Sequence, residues 1–424
     1  MNEIKFAKKI REARGELFLV GGCVRDRLLG KKPNDKDYLL CGISEEDFTR
    51  LFPRAVKVGK SFPVYLAYVG AKRCEIAFAR TERKTGQGYT GFSVDYNPDI
   101  TVEEDLYRRD LTINSMAYSV LGRKLTDPFG GRRDLKNKIL RATSEHFSED
   151  PVRALRAARF AAQLDFTVSH KTLEMMAACA GELANEPKPR ILSELEKALS
   201  APHPSIFFLT LKQTGLLNAV FPEIAALSGK SQPAEYHTEG DAFQHTMLVL
   251  DETAKETKRV EVRFAALMHD IGKGRTPEEM LPHHFGHEQR GVETIQEIAK
   301  SFELPKKWRM AAEFAAAEHM RPARLKQTAK IADLLVRLQK NPLGIEGFSI
   351  IVKADNHGEN AECLANADKY IKAMEKVKAE DAPKGLKGTK LADWIRQKQI
   401  EAVRQLQAIS YKPKAKSQKS KTKN

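Results

Sequence analysis

The hydrophobic pattern of the chain changes at about residue 141. Before that point, short apolar runs such as LFLVGG (17–22), DYLLC (37–41), VYLAYVG and RCEIAFA are separated by Gly, Pro and Asn, which is typical of strands and turns. After it, runs with helical spacing such as DPVRALRAARFAAQL continue to about residue 410. We therefore expect an α+β fold in which a mixed first third is followed by segments that are nearly all helical.

The length and the breaks in the pattern indicate several domains. The 424 residues exceed one ordinary core, and the best linker candidates lie near 185–190, 201–204 and 228–235. No apolar run is long enough for a membrane span, and the first residues lack the features of a secretory signal, so we expect a cytoplasmic protein. The five cysteines are scattered, which indicates neither a disulfide framework nor a zinc knuckle.

The charge balance favours a polyanionic partner. Lys and Arg number 71 against 56 Asp and Glu, a net charge of +15, and nucleic acid is the leading partner for such an excess. Six lysines and no acidic residue fall in the last fourteen residues, and without them the balance is +9. This tail is either a disordered solubilising end or a weak RNA-holding arm.

A glycine pair marks a possible phosphate site near the N-terminus. Gly21 and Gly22 lie between an apolar strand and a segment with helical spacing, where exposed backbone amides can hold a phosphate. Arg25, one helical turn further on, is placed to bind a triphosphate oxygen. The alternatives are a simple tight turn and an exposed helix arginine.

Two aspartates predict a metal site. Asp35 and Asp37 stand two apart at the start of a strand, which sends both carboxylates to one face. Like charges held so close suit one or two Mg²⁺ ions, and Glu75 on a neighbouring strand is a candidate third carboxylate. Such a group fits in-line phosphoryl transfer. The alternative is a set of solvated turn and strand acids.

The segment EDPVRALRAARF places four charged residues at intervals of three. Asp150, Arg153, Arg156 and Arg159 then share one face of a helix. The alternative is a solvated arginine stripe.

A second constellation lies further along the chain. His245 falls within one predicted helix, and His269 and Asp270 end another, which together make a common ligand set for a borderline metal. LPHHFGHEQRG adds three histidines that either line the same pocket or lie on the surface, namely His283, His284 and His287.

Five motifs in the first 165 residues together resemble a known family. LVGGCVRDRLLG, DKD, RRDLTINSMAY, DPFGGRRDL and EDPVRALRAARF occur in the order found in the class II tRNA nucleotidyltransferase and bacterial poly(A) polymerase family. The resemblance implies a nucleotidyltransferase head with a mixed five-stranded sheet, followed by helical parts. We expect the head at 1–140, a neck and body for nucleotide selection and tRNA binding at 141–230, and an HD domain at 231–365. A helical C-terminal part with the Lys-rich tail would then occupy 366–424.

The resemblance also assigns roles to residues. It implies catalysis with Mg²⁺ by Asp35, Asp37 and Glu75, and nucleotide contacts by Gly22, Arg25, Arg109 and Asp110. Asp150 and Arg153 would match the edge of cytosine or adenine through bidentate hydrogen bonds, for which arginine is suited and lysine is not. Arg156 and Arg159 would lie near the triphosphate or the tRNA backbone.

The second constellation resembles the HD phosphohydrolase domain. That resemblance implies a metal site formed by His245, His269, Asp270 and a distant Asp355, holding a transition metal for which Ni²⁺ is a candidate. It also implies phosphatase and 2′,3′-cyclic phosphodiesterase activity.

The expected reaction is the transfer of CMP and then AMP from CTP and ATP to the 3′ end of tRNA. We expect tRNA, CTP and ATP as partners, no membrane, and a monomer or homodimer. The nearest alternative is a poly(A) polymerase, against which the fused HD domain argues. An A-only or CC-only enzyme, an HD phosphohydrolase whose N-terminal region binds RNA, and a non-enzymatic RNA scaffold are further alternatives. The segment 81–100 holds the differences that separate A-only and CC-only activities.

Overall fold

The computed structural model describes residues 1–33, 35–58, 63–86, 91–233 and 240–410. The chain divides into two compact units, Met1–Ala226 and Leu227–Asn424. Their boundary lies beside the break predicted at 228–235. The Lys-rich tail from residue 411 lies outside the described residues.

The strands of the described residues all belong to the first unit. They are β1 (Glu16–Val20), β2 (Asp37–Cys41), β3 (Val56–Lys57), β4 (Val64–Val69), β5 (Lys72–Phe78), β6 (Thr81–Lys84), β7 (Phe92–Asp95), β8 (Ala117–Ser119), β9 (Leu125–Thr126), β10 (Ile139–Leu140) and β11 (Thr167–Val168). Within the described residues, seven of them form one mixed sheet in the order β3-β4-β5-β2-β1-β8-β9. Only the β2–β5 pairing in that sheet is parallel.

The fold class is as predicted, but the sheet has two strands more than the five expected. The additional members include the two-residue strands β3 and β9, which are too short to give a period-two signal in the sequence. Strands β6 and β7 form a separate hairpin within 81–100, the segment expected to distinguish the activities. Residues 87–90 of that segment lie outside the described residues.

The first helices of the first unit lie between the strands in sequence, and after β11 all its described elements are helices. They are α1 (Glu3–Glu12), α2 (Gly22–Leu28), α3 (Glu45–Leu51), α4 (Val102–Tyr107), α5 (Gly131–Lys136), α6 (Val152–Leu164), α7 (His170–Ala178), α8 (Ala180–Ala184), α9 (Lys188–Leu199), α10 (Ser205–Gln213), α11 (Leu216–Val220) and α12 (Pro222–Ala225). Short 3₁₀ turns occupy Thr112–Asn114 and Glu145–Glu149. A core cluster that includes Phe18, Leu39, Ile100 and Leu106 packs α4 against β1 and β2.

The second unit is helical throughout its described residues. Its helices are α13 (Ala242–Glu256), α14 (Val260–Met268), α15 (His287–Phe302), α16 (Lys306–Glu318), α17 (Thr328–Gln339), α18 (Gly344–Asp355), α19 (Glu362–Ala365), α20 (Ala367–Met374) and α21 (Thr389–Ser410). Short 3₁₀ turns occupy Ile271–Arg275, Glu278–Met280, Pro322–Arg324 and Ala379–Asp381. None of the helices in the described part of the chain combines the length and apolar character that a membrane crossing requires.

A close backbone approach fixes the centre of the second unit. A Cβ on Gly272 would lie 2.0 Å from the His287 carbonyl oxygen and 2.4 Å from the Gly291 nitrogen, so only glycine fits there. Gly291 in turn faces Ala316 of α16. Small residues at these positions allow the turn after Asp270, α15 and α16 to approach one another closely.

Candidate active sites

The glycine turn of the head lies against an arginine. Gly21 has φ 70°, a backbone conformation that favours glycine, and α2 begins at Gly22. A Cβ on Gly21 would lie 3.4 Å from Nη1 of Arg109. Arg109 is itself held by Asp105, which accepts from its Nη2 at 2.8 Å and is fully buried. The predicted turn therefore places a fixed guanidinium beside the start of α2.

Two of the three predicted carboxylates are neighbours in the sheet. Asp37, the first residue of β2, is the register partner of Glu75 on the parallel strand β5. Register partners on adjacent strands point to the same face, and both side chains are exposed. Asp35 precedes the strand, which begins at Asp37, so no strand period relates the two, and a shared face for their carboxylates stays a prediction. The ladder stops at Asp37 because its partner on β1, Val20, is the last residue before the glycine turn.

These carboxylates repel one another. Although Asp37 is exposed at the surface, partial desolvation in the cleft raises its pKa, as do Glu75 and Asp35, while Arg109 partly opposes the shift. Among the described residues, the groups of three or more such ligands whose atoms lie within 4.8 Å of one another are two in the second unit, and the three head acids do not form one. A divalent cation would relieve the repulsion, and an all-oxygen ligand set is the one Mg²⁺ prefers. The residues present fit Mg²⁺.

A cleft of about 770 Å³ gathers most of the predicted nucleotide-site residues. Ten of them line it, namely Gly21, Gly22, Arg25, Asp37, Arg109, Asp110, Asp150, Arg153, Arg156 and Arg159. Asp35 and Glu75 are not among its lining residues. Residues that the sequence analysis did not single out also line it, and they include Arg108, Asn114, Phe160, Arg190 and Glu194.

Phe160 organises the arginines of this cleft. The guanidinium carbons of Arg25, Arg156 and Arg159 lie 5.1, 5.7 and 3.9 Å from the centroid of its ring. Cations over an aromatic face are attracted to it, so one ring holds three like charges in place. Arg25 also donates to Oδ1 of Asn114 at 2.8 Å.

The arginines of α6 have carboxylate partners. Arg156 pairs with Asp110 at 2.6 Å, and although burial raises the pKa of Asp110, Arg156 outweighs it and lowers the pKa to about 2. Arg159 is buried and donates to Glu194 at 2.5 Å. The solvated stripe is therefore wrong for Arg159. Contact of either arginine with triphosphate or RNA stays a prediction.

The predicted base-selecting pair is also held by partners. The helix α6 begins at Val152 with Pro151 as its N-cap, and Asp150 lies before the cap. The expectation that Asp150 belongs to the same helix face as the arginines is therefore wrong. Both carboxylate oxygens of Asp150 accept from Nη2 of Arg190, at 2.9 and 3.0 Å. Arg153 donates to the His146 carbonyl at 2.6 Å. The sequence carried no signal for Arg190, which lies forty residues beyond Asp150.

In the second unit, the four predicted ligands converge. Nε2 of His245 lies 3.0 Å from Oδ1 of Asp355, and Nε2 of His269 lies 3.3 Å from Oδ2 of Asp270. The ligand atoms of all four residues lie within 4.8 Å of one another. The structure thus brings together the four residues that the sequence predicted as ligands of one metal site.

A second group shares Asp270. His287 and His319 each place Nε2 near its Oδ1, at 3.4 and 3.3 Å. His319, at the end of α16, was not predicted, and His287 was predicted only to line the pocket. His284 is buried as well and bonds Thr276 and the Ser231 carbonyl, so the surface alternative is wrong for it and for His287, while His283 is exposed.

Backbone carbonyls fix the histidine tautomers. Nδ1 of His269, His287 and His319 lies 2.7, 2.9 and 3.0 Å from the carbonyl oxygens of Ala266, His284 and Ala315. A ring whose Nδ1–H donates to a carbonyl presents an Nε2 lone pair, and this is the usual arrangement around a bound metal. All three Nε2 atoms then face Asp270.

The buried polar atoms at this centre fit a cation. Among the described residues, Nε2 of His269 and Oδ1 of Asp270 have no hydrogen-bond partner although both residues are about 1% exposed. Lys273 places its ammonium 2.6 Å from Oδ2 of Asp270. Without a metal ion, burial lowers the pKa of His269, but Asp270 and Asp355 outweigh it and raise the pKa to about 10, so a cation that binds Nε2 displaces a proton. Imidazole and carboxylate ligands suit a divalent transition metal, so these residues fit one or two such ions.

Three family models match the chain. They are the poly A polymerase head domain at residues 17–141, the probable RNA and SrmB-binding site of polymerase A at 165–227, and the HD domain at 236–396. The HD match extends beyond residue 365, where the predicted HD domain ends. The four-part division of the chain stays a prediction.

Full-length relatives identify the family. The multifunctional CCA protein of Nitrosococcus oceani is 41% identical over 403 residues, covering 92% of this chain and 98% of the relative. That of Pasteurella multocida is 43% identical over 357 residues, covering 81% and 84%. The chain belongs to the multifunctional CCA protein family. Membership in the multifunctional CCA protein family confirms the resemblance seen in the five motifs and the prediction of a tRNA nucleotidyltransferase enzyme.

Solved structures share the fold of this member of the multifunctional CCA protein family. The Bacillus stearothermophilus CCA-adding enzyme in complex with CTP has a TM-score of 0.65 at 22% identity, covering 96% of this chain and 92% of that one. A tRNA nucleotidyltransferase complexed with a primer tRNA and an incoming ATP analogue has a TM-score of 0.59 at 24% identity, covering 88% and 98%. These likenesses confirm the fold class.

Proposed function

We propose that the chain adds CMP, CMP and then AMP to the 3′ end of tRNA, using CTP and ATP, and that its HD site hydrolyses a phosphate ester of a nucleotide. The relatives' name and the titles of the similar structures support the first activity. The observation that carries it is the single cleft in which Asp37 and the pair Asp150 and Arg153 both take part. That cleft joins a phosphoryl-transfer group to a group that can read a base.

The reacting end of the cleft is the start of β2, where Asp37 lines the cleft and Glu75 lies beside it on β5. Asp35, Asp37 and Glu75 would hold Mg²⁺, which when bound would activate the RNA 3′-hydroxyl and neutralise the departing pyrophosphate. Arg109 faces this edge beside Gly21, in position for a triphosphate oxygen. The 3′-hydroxyl releases its proton to solvent, its oxygen forms a bond to the α-phosphorus, and the bond from that phosphorus to pyrophosphate breaks.

The selecting end of the cleft is the start of α6. An ionised carboxylate accepts through about four lone-pair sites, so Asp150 can keep its bond to Arg190 and still accept from the amino group of cytosine or adenine. The guanidinium of Arg153 can donate to the acceptors on the same edge. Uracil and guanine present different donor and acceptor patterns to this pair. The protein side chains would thus replace a template.

The HD site is suited to hydrolysis. His245, His269, Asp270 and Asp355 would hold one cation, and Asp270, His287 and His319 a second, and such ions when bound would supply an activated water. Lys273, 2.6 Å from Asp270, is placed to neutralise phosphate charge. With a nucleoside 2′,3′-cyclic phosphate, the water oxygen bonds to phosphorus, one ring P–O bond breaks, and the released ribose oxygen takes a proton.

The test of the first activity is nucleotide incorporation by the full chain. The substrates are tRNA transcripts that end before CCA, after C and after CC, each with CTP, ATP or both. We expect addition of CC followed by a single A, with none in the Asp35→Ala/Asp37→Ala variant. Glu46→Ala, an exposed acid on α3, is the matched control and should retain activity. Long A tails would instead indicate a poly(A) polymerase.

The test of the second activity is hydrolysis of 2′,3′-cyclic AMP with Mg²⁺, Mn²⁺ or Ni²⁺. We expect His269→Ala/Asp270→Ala to lose hydrolysis and to keep CCA addition, and Asp35→Ala/Asp37→Ala to do the reverse. If the head variant abolished both activities, the two sites would not be separate catalysts.

A further inference from the structure

A cavity beside the HD ligand groups is larger than a phosphate needs. Its volume is about 940 Å³, and His287, His319 and Asp355 line it. Two exposed apolar side chains line it as well, Phe285 at 71% exposure and Met320 at 36%. Single exposed apolar residues are common on protein surfaces. Here two of them share the cavity with the metal-type ligands.

The sequence places each apolar residue beside a ligand. Phe285 lies two residues before His287, and Met320 directly follows His319. The backbone between Phe285 and His287 is anchored, because Arg290 donates to the Phe285 carbonyl at 2.9 Å and Nδ1 of His287 bonds the His284 carbonyl. Phe285 therefore stands at a fixed place in the chain relative to His287.

The ring of Phe285 is partly covered on one side. The His283 ring stacks on it with centroids 5.5 Å apart and an interplanar angle of 24°. Since the residue is still 71% exposed, the opposite face of the ring is open. A supported, flat and open aromatic face is the feature on which nucleobases stack in proteins that bind single-stranded nucleic acid. Met320 can add a sulfur–aromatic contact to such a stack.

We propose that Phe285, with Met320, binds the base of the nucleoside phosphate whose ester is hydrolysed at the HD site. This inference rests on the hydrolytic function proposed above and names its specificity-determining residue. A terminal ribose that carries both a base and a cyclic phosphate would span from Phe285 to the ligand groups. That chemistry occurs in a free nucleoside 2′,3′-cyclic phosphate and at the 3′ end of an RNA, and the ring would stack on either.

The first experiment measures binding, with release of inorganic phosphate followed in parallel so that any turnover of 3′-AMP is detected. Calorimetry with the full chain and Mg²⁺ compares 3′-AMP with inorganic phosphate for wild type, Phe285→Ala, Phe285→Trp and the control Tyr68→Ala, an exposed aromatic of the head at 66% exposure. We expect Phe285→Ala to weaken 3′-AMP binding about five- to tenfold, the lower end of the base-stacking range because the ring is exposed. Inorganic phosphate binding should not change, Phe285→Trp should restore 3′-AMP affinity, and Tyr68→Ala should match wild type.

The second experiment measures hydrolysis. For 2′,3′-cyclic AMP and for an oligoribonucleotide ending in a cyclic phosphate, Phe285→Ala should raise KM with little change in kcat. For ribose 2′,3′-cyclic phosphate, which has no base, both constants should stay as in wild type. An effect confined to the oligonucleotide would identify an RNA end as the ligand source, and an equal effect on both would identify the shared nucleoside.

The outcomes separate the two proposals. Unchanged 3′-AMP binding in Phe285→Ala, or an equal loss for the base-free ester, would overturn the role of Phe285 while hydrolysis stood. Binding of 3′-AMP that depends on Phe285, without any hydrolysis by wild type, would leave the base site standing and overturn the hydrolytic function. Absence of 3′-AMP binding by wild type would overturn the base site.

Discussion

The two sites of this chain hold their metal-type ligands in different ways. In the head, Asp37 and Glu75 are exposed on neighbouring strands, and together with Asp35 they do not close to within 4.8 Å. In the HD site, the ligands around Asp270 are buried, their atoms lie within that distance, and carbonyl oxygens fix three of the imidazole rings. The ligand atoms of the HD set are close together and are held by backbone contacts, and those of the head set are not.

The difference has an energetic basis. Buried polar atoms without partners destabilise the folded state. A cation that binds Oδ1 of Asp270 and Nε2 of His269 should therefore stabilise the folded HD centre. The exposed head carboxylates keep water as a partner. Mg²⁺ usually binds one or two carboxylates together with substrate phosphates, so the head set would be completed by the nucleotide. Cation binding should be independent of nucleotide in the HD site and dependent on it in the head.

The largest expected effect comes from Asp270→Asn. Because this carboxylate belongs to both ligand groups, its loss should weaken nucleotide-independent binding of Ni²⁺ by at least about 100-fold, the upper end of what loss of even an outer-shell partner costs. Calorimetric titration of the metal-stripped chain with Ni²⁺, in the absence of nucleotide, measures this loss. Thermal unfolding of the same variant checks that it is folded.

Two controls make this result specific. Asp37→Asn should bind Ni²⁺ as wild type does when nucleotide is absent, and so should Glu297→Gln, an exposed acid on α15. If Asp37→Asn removed the nucleotide-independent binding, the contrast between the two sites would fail.

The next effect concerns the second ligand group. His319→Ala removes one of the two imidazoles that face Oδ1 of Asp270, while His245, His269 and Asp355 remain. We expect the number of Ni²⁺ ions bound per chain to fall from two to one and hydrolysis of 2′,3′-cyclic AMP to fall about 10- to 100-fold. Native mass spectrometry counts the ions. One ion bound to wild type would contradict the two-ion arrangement.

His319 shows where sequence reasoning stopped. The His-Asp pair could be predicted because its two residues are adjacent in the sequence. The distant Asp355 could be predicted because the resemblance to the HD domain implies a ligand in that segment. His319 lies in AEHMRP, with no ligand-type neighbour except Glu318. It reaches Asp270 because Gly272, Gly291 and Ala316 allow α15 and α16 to approach the turn. Such packing depends on backbone contacts that spacing does not encode.

The head shows the same limit for charged residues. The strands β1 and β2 and the glycine turn could be predicted from local apolar runs. The spacing of Arg153, Arg156 and Arg159 correctly predicted that they lie on one helix. Their partners were not predictable, since Asp110 lies 46 residues from Arg156 and Glu194 lies 35 from Arg159. A charged residue whose partner is unknown is interpreted as solvated. The start of β2 at Asp37 depends on where β1 ends, which the local sequence does not show.

A smaller effect is expected for the Asp110–Arg156 pair. The folded-state pKa of Asp110, about 2, lies below the ordinary 3.8, so its stabilising contribution is present above pH 4 and is lost as the pH falls through 2. Asp110→Asn should lower the free energy of unfolding at pH 7 by about 2 kcal/mol. Urea unfolding from pH 7 to pH 3 should show the gap between variant and wild type narrowing below pH 4. A gap that stayed constant over this range would rule out an ionic origin.

The smallest expected effect would sharpen the comparison most. Backbone carbonyls lock the HD imidazoles, whereas a side chain, Arg190, holds Asp150 and has 32% of its own side chain exposed. Because Arg190 also pairs with the buried Glu186, thermal unfolding must show that a variant at Arg190 is folded. Arg190→Ala should raise KM for both CTP and ATP about tenfold and increase incorporation of UMP and GMP, because Asp150 loses a charge-assisted bond that fixes its direction.

The matched variants separate orientation from net charge. Arg190→Lys keeps the charge but offers no planar pair of donors, so it should restore KM only in part. Lys212→Ala, which removes an exposed cation from α10 of the same unit, should leave KM and fidelity unchanged. If Arg190→Ala kept the wild-type KM and fidelity, Asp150 would be oriented by its own backbone, as the HD imidazoles are, and the head would share the preset character of the HD site.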